Sequence, residues 1–215
     1  MSSNYGFEEY EGFVGNVDDF NGIIFCLREP HTADKNELPD EKKQPKEFWF
    51  QKIVNEKEKY YQELQEKEVN MNKRIVNKRI GTRFKNEFTG ILKQCKLNES
   101  ISNIAFCNVN PEGGDANAGK VYKERLDKAH EKIEKIIMLN PQNKLYIFTC
   151  IDIYEKLKET WKSKYEIVEK QEGVSYKNKQ GQKDIVKKCF KCQIVNKEVT
   201  IFEIYHPSRR RYPLS

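Results

Sequence analysis

The sequence predicts an α/β protein, a three-layer α/β/α sandwich around a mainly parallel, four-stranded sheet with an antiparallel hairpin excursion. Three observations predict it. Four short apolar runs, 22–27, 103–108, 144–150 and 199–205, are nearly continuous, which suits strands covered on both faces. Helical periodicities stand between them, and strands that alternate with helices pair in parallel. The segment 173–196 breaks the rhythm with the turn chemistry of a hairpin.

The first strand, Gly22 to Leu27, breaks at Arg28-Glu29-Pro30-His31. Residues 47–73 are very polar and helical in composition, with Trp49, Ile53, Tyr60, Tyr61 and Leu64 as a narrow apolar stripe. Phe84, Phe88, Ile91, Leu92 and Cys95 recur at helical spacing. The second strand, Asn103 to Asn108, runs into Val109-Asn110-Pro111. Tyr122, Leu126, Ala129, Ile133, Ile136 and Ile137 mark one strong helix, which proline forbids beyond Asn140-Pro141. The third strand, Lys144 to Cys150, leads directly into a helix over 151–161, with Ile153, Tyr154, Leu157 and Trp161 on one side. In the excursion, Ser175 to Lys183 reads as a hairpin tip, and Val186 with 189–195 as the strand that follows. The fourth strand, Val199 to Tyr205, stops at His206-Pro207-Ser208.

At 215 residues the chain is expected to be a single domain, 1–215, with 173–196 as a hairpin within it. Aromatic content of 12% supplies large side chains for a core and argues against disorder. No apolar run approaches the length of a membrane span. The first nine residues are acidic and aromatic, not basic then apolar, so a cytoplasmic monomer is the expectation. A net charge of +6 permits a polyanionic partner without demanding one. Cys26, Cys107 and Cys150 sit inside apolar runs and read as small buried hydrophobes. Cys189-Phe190-Lys191-Cys192 has metal-type spacing, but no second close pair completes a four-ligand set. Strand alternation would also send its two thiols to opposite faces. No metal and no cofactor are expected.

Ligands of an open parallel sheet bind outside the carboxyl ends of its strands. The residues following the four strands are therefore the candidates. They include Arg28, Glu29, His31 and Asp34 after the first, Asn108 and Asn110 at the second, Asp152 after the third, and His206 and Ser208 after the fourth. Carboxylate, amide and imidazole converge on one rim.

This set resembles the uracil-DNA glycosylase superfamily, as a divergent member. Leu27-Arg28-Glu29-Pro30-His31 looks like the family's first motif, Phe106-Cys107-Asn108 is similar to its strand-end asparagine, and His206-Pro207-Ser208 looks like its second motif. The resemblance runs from about Gly22 to Ser208 on three short motifs. It implies a DNA glycosylase that hydrolyses the N-glycosidic bond of uracil or a related modified base, flipped into a pocket at the strand ends. Phe48 or Trp49 would stack on the base, and His31 would form another wall. Ser208, Arg209, Arg210, Arg211 and Tyr212 would form a DNA-facing loop, with arginines where an apolar wedge is usual. Arg28 replaces a small or amide residue; it would clamp a phosphate or fill the pocket.

The residue chemistry is consistent with that reaction on its own terms. Glycosidic cleavage makes an oxocarbenium-like sugar and an anionic base. Glu29 is the best-placed carboxylate to orient water and offset positive charge, with Asp34 as the alternative. His206 can donate to the base oxygen where negative charge develops. Asn108 can both donate and accept along a pyrimidine edge, although Asn108 and Asn110 also suit capping of the turn before Pro111. The alternatives are a non-catalytic nucleic-acid-binding protein of the same fold and, more distantly, a hydrolase or transferase of free nucleotides.

Overall fold

The computed structural model describes residues 5–8, 11–13, 16–28, 88–93, 95–97, 103–110, 120–170, 174–178 and 181–204. Among them stand eight strands: β1 (Gly12–Phe13), β2 (Ile23–Leu27), β3 (Ala105–Asn108), β4 (Lys144–Cys150), β5 (Ile167–Lys170), β6 (Val174–Asn178), β7 (Gly181–Ile194) and β8 (Lys197–Ile204). The helices are α1 (Lys120–Asp127), α2 (Ala129–Leu139) and α3 (Ile151–Lys162), with a further helical segment at 88–93. The fold is broadly α/β, as the alternation of strand and helix patterns implies.

All eight strands form one mixed sheet in the order β1-β3-β2-β4-β8-β7-β5, with β6 also paired to β7. The pairs β2–β3, β2–β4 and β4–β8 are parallel. They are the four apolar runs of the sequence. The pairings of β1 with β3, and of β7 with β5, β6 and β8, are antiparallel. In the excursion β6 and β7 pair as an antiparallel hairpin from Asn178 and Gly181, and β7 runs on as a long strand beside β8. Gly22, the residue immediately before β2, has a φ of +81°. A Cβ there would lie 2.4 Å from the Lys144 carbonyl oxygen, so β2 can approach β4 this closely only through glycine.

The stretch 122–137 is not one helix. It divides into α1 and α2 at Lys128, whose φ of −101° and ψ of 6° leave the helical region. The apolar spacing continues across the break, which is why periodicity alone joined the two. Ala129, Ile133, Ile136 and Ile137 form the buried stripe of α2, and Ile153, Tyr154, Leu157 and Trp161 that of α3. At the end of α2, Asn140 turns its side chain back to donate to the Ile136 carbonyl at 2.6 Å, closing the helix before Pro141.

These stripes cover one face of the sheet, where they meet Ile24, Cys26, Cys107, Ile147 and Ile201. The other face buries Phe25, Phe148 and Phe202 against Phe88, Ile91 and Leu92 of the helical segment. Cys189 belongs to the second cluster and Cys192 to the first, so the two thiols of the C-x-x-C spacing do lie on opposite faces of β7. Burial on both faces explains why the four parallel strands read as continuous apolar runs.

Candidate functional site

The strand order fixes where a ligand crevice is expected. From β2 the chain goes to β3 on one side, then crosses to β4 on the other, and continues outward to β8. The order therefore reverses at the boundary of β2 and β4, the position where open parallel sheets bind ligands beyond their carboxyl ends. Arg28 leaves β2 at this point, and Asp152 follows β4 by two residues, in the first turn of α3.

The two meet across the boundary. Arg28 Nε lies 2.9 Å from Asp152 Oδ2, and the Tyr122 hydroxyl of α1 donates to the same oxygen. The guanidinium carbon also stands 6.0 Å from the centre of the Tyr122 ring. Burial is the largest influence on the Arg28 charge and opposes it, but Asp152 together with Tyr122 and Cys150 outweighs it and raises the guanidinium pKa. Burial, reinforced by the hydrogen bond to Asp152, pushes the Tyr122 phenol well up and keeps it protonated. The cluster is only partly closed: the Arg28 side chain is 39% exposed and that of Asp152 23%.

Asn108 ends β3 directly opposite Leu27. It is buried, and by alternation it shares the face of Phe106 and Leu27, opposite to the face of the Arg28 cluster. The parallel ladder continues past both strands, with Val109 N donating to Leu27 O at 2.9 Å and Asn110 N to Arg28 O at 2.8 Å. This ladder ties the first residue after β2 to the backbone after β3.

Asn108 is held from behind by a charge network that sequence reasoning missed. The fully buried Glu11 accepts from Asn108 N at 2.5 Å, from Glu8 N at 3.0 Å and from Lys132 Nζ at 2.8 Å. Lys132 also reaches Glu8 at 2.9 Å. Burial raises the Glu11 carboxyl despite the lysine beside it. Burial works most strongly against the Lys132 charge, yet Glu11, Cys107 and Glu8 together outweigh it and raise its pKa. A single glutamate within an acidic N-terminal segment offers no pattern by which to find it. Glu203 is more legible: an acid inside the apolar run of β8, it is buried beside Thr149 of β4, with Lys188 Nζ 3.9 Å away.

Two thiols near the rim, Cys107 and Cys150, are held protonated by burial. Burial first, then a hydrogen bond with Cys26, pushes the Cys107 thiol well up, and burial does the same to Cys150. Among the described residues, no group of three or more His, Cys, Asp or Glu side chains could hold a metal ion, and no helix is long and apolar enough to cross a membrane.

Of the residues singled out from the sequence, Arg28, Asn108, Asn110 and Asp152 are described. Glu29, His31, Asp34, Phe48, Trp49, His206, Ser208, Arg209, Arg210, Arg211 and Tyr212 lie outside the described residues. The structure brings Arg28 together with Asp152, the strand-end carboxylate after β4, and with Tyr122, which in the sequence is only a member of a helical stripe. It does not bring the Asn108 side chain to them.

These features define an α/β protein with a polar cluster at the switch point of a mixed sheet. Comparison with protein-family models, with curated proteins and with solved structures gives no match.

Proposed function

We propose that the protein is a DNA glycosylase that hydrolyses the N-glycosidic bond of uracil or a related modified base, on a three-layer α/β/α sandwich. One observation carries the reading: β3, β2, β4 and β8 are adjacent and parallel, so their carboxyl ends share one rim. The three motif segments of the sequence follow directly from these ends. Glu29 comes two residues after Leu27, Asn108 is the last residue of β3, and His206 comes two residues after Ile204. With strands about 4.8 Å apart, the ends of β2 and β8 are separated by roughly 10 Å, a span that a flipped nucleotide fills.

The floor of that rim suits a planar base. On the face of Asn108, the last side chains of the neighbouring strands are Leu27, Cys150 and Ile204, all apolar and buried. One amide in an apolar setting is the arrangement that reads a flat polar ring, because an unmatched polar edge would leave the amide unpaired. In this reading Glu29 orients water, with Asp34 as its alternative, and His206 stabilises the departing base. Phe48, Trp49 and His31 wall the base, and 208–212 face the DNA.

The reading is tested by incubating the protein with a uracil-containing oligonucleotide and treating the product with alkali. Strand cleavage that disappears in Glu29→Ala and falls on the order of a hundredfold or more in His206→Ala supports it. Tight DNA binding without cleavage, across uracil and a panel of modified bases, would identify a non-catalytic binding protein instead.

A further inference from the structure

The place of Arg28 in the sequence makes it a candidate DNA contact, and its surroundings give it a more definite role. Its Nε is covered and lies against Asp152 Oδ2, while the side chain as a whole is 39% exposed. The exposure therefore belongs to other atoms of the side chain. Asp152 is fixed in turn: it stands in the first turn of α3, and the hydroxyl of Tyr122 on α1 donates to the same oxygen that faces Arg28. The Tyr122 ring lies beneath the guanidinium carbon at 6.0 Å. Three elements thus hold one flexible side chain: the exit of β2, the start of α3, and α1. The Arg28 carbonyl is tied as well, by Asn110 N at 2.8 Å.

A surface arginine loses considerable side-chain freedom when it grips a phosphate. An arginine already held through Nε and by an aromatic ring has lost much of it beforehand, and its planar group still carries further N–H donors in a fixed fork. The carboxylate that holds it also reduces the net positive charge at the rim. A site that relied on charge alone would do better without Asp152; a site that relies on orientation needs it. We propose that Asp152 and Tyr122 are positioning residues that preorganise Arg28 to bind a backbone phosphate of the nucleic acid at the switch point of the sheet. The inference rests on the nucleic-acid reading above, but not on glycosylase activity.

The two accounts of Asp152 predict opposite signs. Binding of short fluorescein-labelled single-stranded and duplex oligonucleotides is measured by anisotropy as a function of salt, with thermal melts of each variant as a check on folding. Arg28→Gln should weaken duplex binding and reduce the magnitude of the salt slope by about 0.9, the loss of one phosphate contact. Asp152→Asn should weaken binding on the order of tenfold even though it makes the protein more positive. Tyr122→Phe keeps the ring and loses only the hydroxyl; a weakening of about threefold is expected. Asp152→Asn binding as tightly as the parent, or more tightly, is what charge counting requires, and it would overturn the proposal while leaving nucleic-acid binding intact. If Asp152→Asn does not fold, Tyr122→Phe decides, and its unchanged affinity overturns the proposal. A parent protein that binds neither oligonucleotide at low salt overturns the nucleic-acid reading and this inference with it.

Discussion

Each of the four parallel strands carries a phenylalanine at the same level, and each phenylalanine is followed by a small or polar residue. Phe106, Phe25, Phe148 and Phe202 are register partners across β3, β2, β4 and β8. The next residues, Cys107, Cys26, Thr149 and Glu203, are register partners in the same order. Alternation sends the first row to the face covered by 88–93 and the second to the face covered by α1, α2 and α3. The phenylalanine row is stacked: Phe25 to Phe148 at 4.9 Å and 17°, Phe148 to Phe202 at 4.7 Å and 9°. The polar row lies nearest the carboxyl rim on its own face and ends beside Glu11 and Lys132. One residue along the strand therefore separates apolar cohesion from a chain of groups that need partners. The first holds the sheet irrespective of pH. The second ends at the Glu11–Lys132 ion pair, whose contribution depends on protonation, and it lies directly behind the candidate site.

The largest effect should come from breaking the stacked row at its centre. Phe148 is fully buried between two parallel rings, so Phe148→Ala removes a large apolar side chain and leaves a cavity. The expected loss is about 3–5 kcal/mol, with the cost at the upper end because both ring contacts vanish together. Denaturant unfolding should show that loss essentially unchanged from neutral to mildly alkaline pH. A loss that grows or shrinks steeply with pH would mean that the two rows are not energetically separate.

That pairing of rows was not legible in the sequence, although each member was. The four strands could be located because burial on both faces makes them continuous apolar runs. Their register could not, since it depends on how the strands align in space, and no local pattern specifies that alignment. The same limit explains the site. Arg28 and Asn108 were visible as polar residues at strand ends. Asp152 was visible as a carboxylate following the third strand, and Tyr122 only as a member of an apolar stripe; their meeting depends on α1 and α3 converging. β1 escaped notice because two residues, Gly12 and Phe13, carry no periodicity. β5 escaped because its four residues follow α3 without a strong turn signal. Glu11 shows the same limit most clearly: nothing near it in sequence reveals Asn108 or Lys132, at separations of 97 and 121 residues.

The second effect is the one that should depend on pH. Glu11→Ala removes the acceptor of Asn108 N and the closest counter-charge of Lys132. A loss of about 3 kcal/mol is expected, at the low end for a broken buried pair because Glu8 still reaches Lys132 at 2.9 Å. The coupling between Glu11 and Lys132 is measured by a double-mutant cycle with Glu11→Gln and Lys132→Met. The Lys132 pKa is raised above 10.5 in the folded state, so its contribution is fully present below that value and is lost as pH rises through the folded pKa. The Glu11 pKa is raised above 4.5, so the carboxylate form needed for the pair is lost as pH falls through that raised value. The coupling should therefore have a plateau around neutral pH and decline on both sides. A coupling that stays constant into strongly alkaline solution would show that Lys132 does not act through its charge.

The smallest effect has the opposite sign and tests whether the polar row is there for stability at all. Thr149 is fully buried within that row, and its hydroxyl has no hydrogen-bond partner among the described residues. Burying an unpaired hydroxyl is costly, and valine has the same shape without it. Thr149→Val should therefore stabilise the protein by about 1 kcal/mol, read as a higher denaturant midpoint at unchanged slope. Phe148→Ala, one residue earlier on the same strand, should do the reverse and by more. If Thr149→Val destabilises instead, the hydroxyl is part of a bonded network across β8 and β2, and the polar row contributes to folding as the aromatic row does. If it stabilises, a buried polar position immediately behind the strand ends is being kept at a cost to stability, as expected where a strand's end serves a site and not only the core.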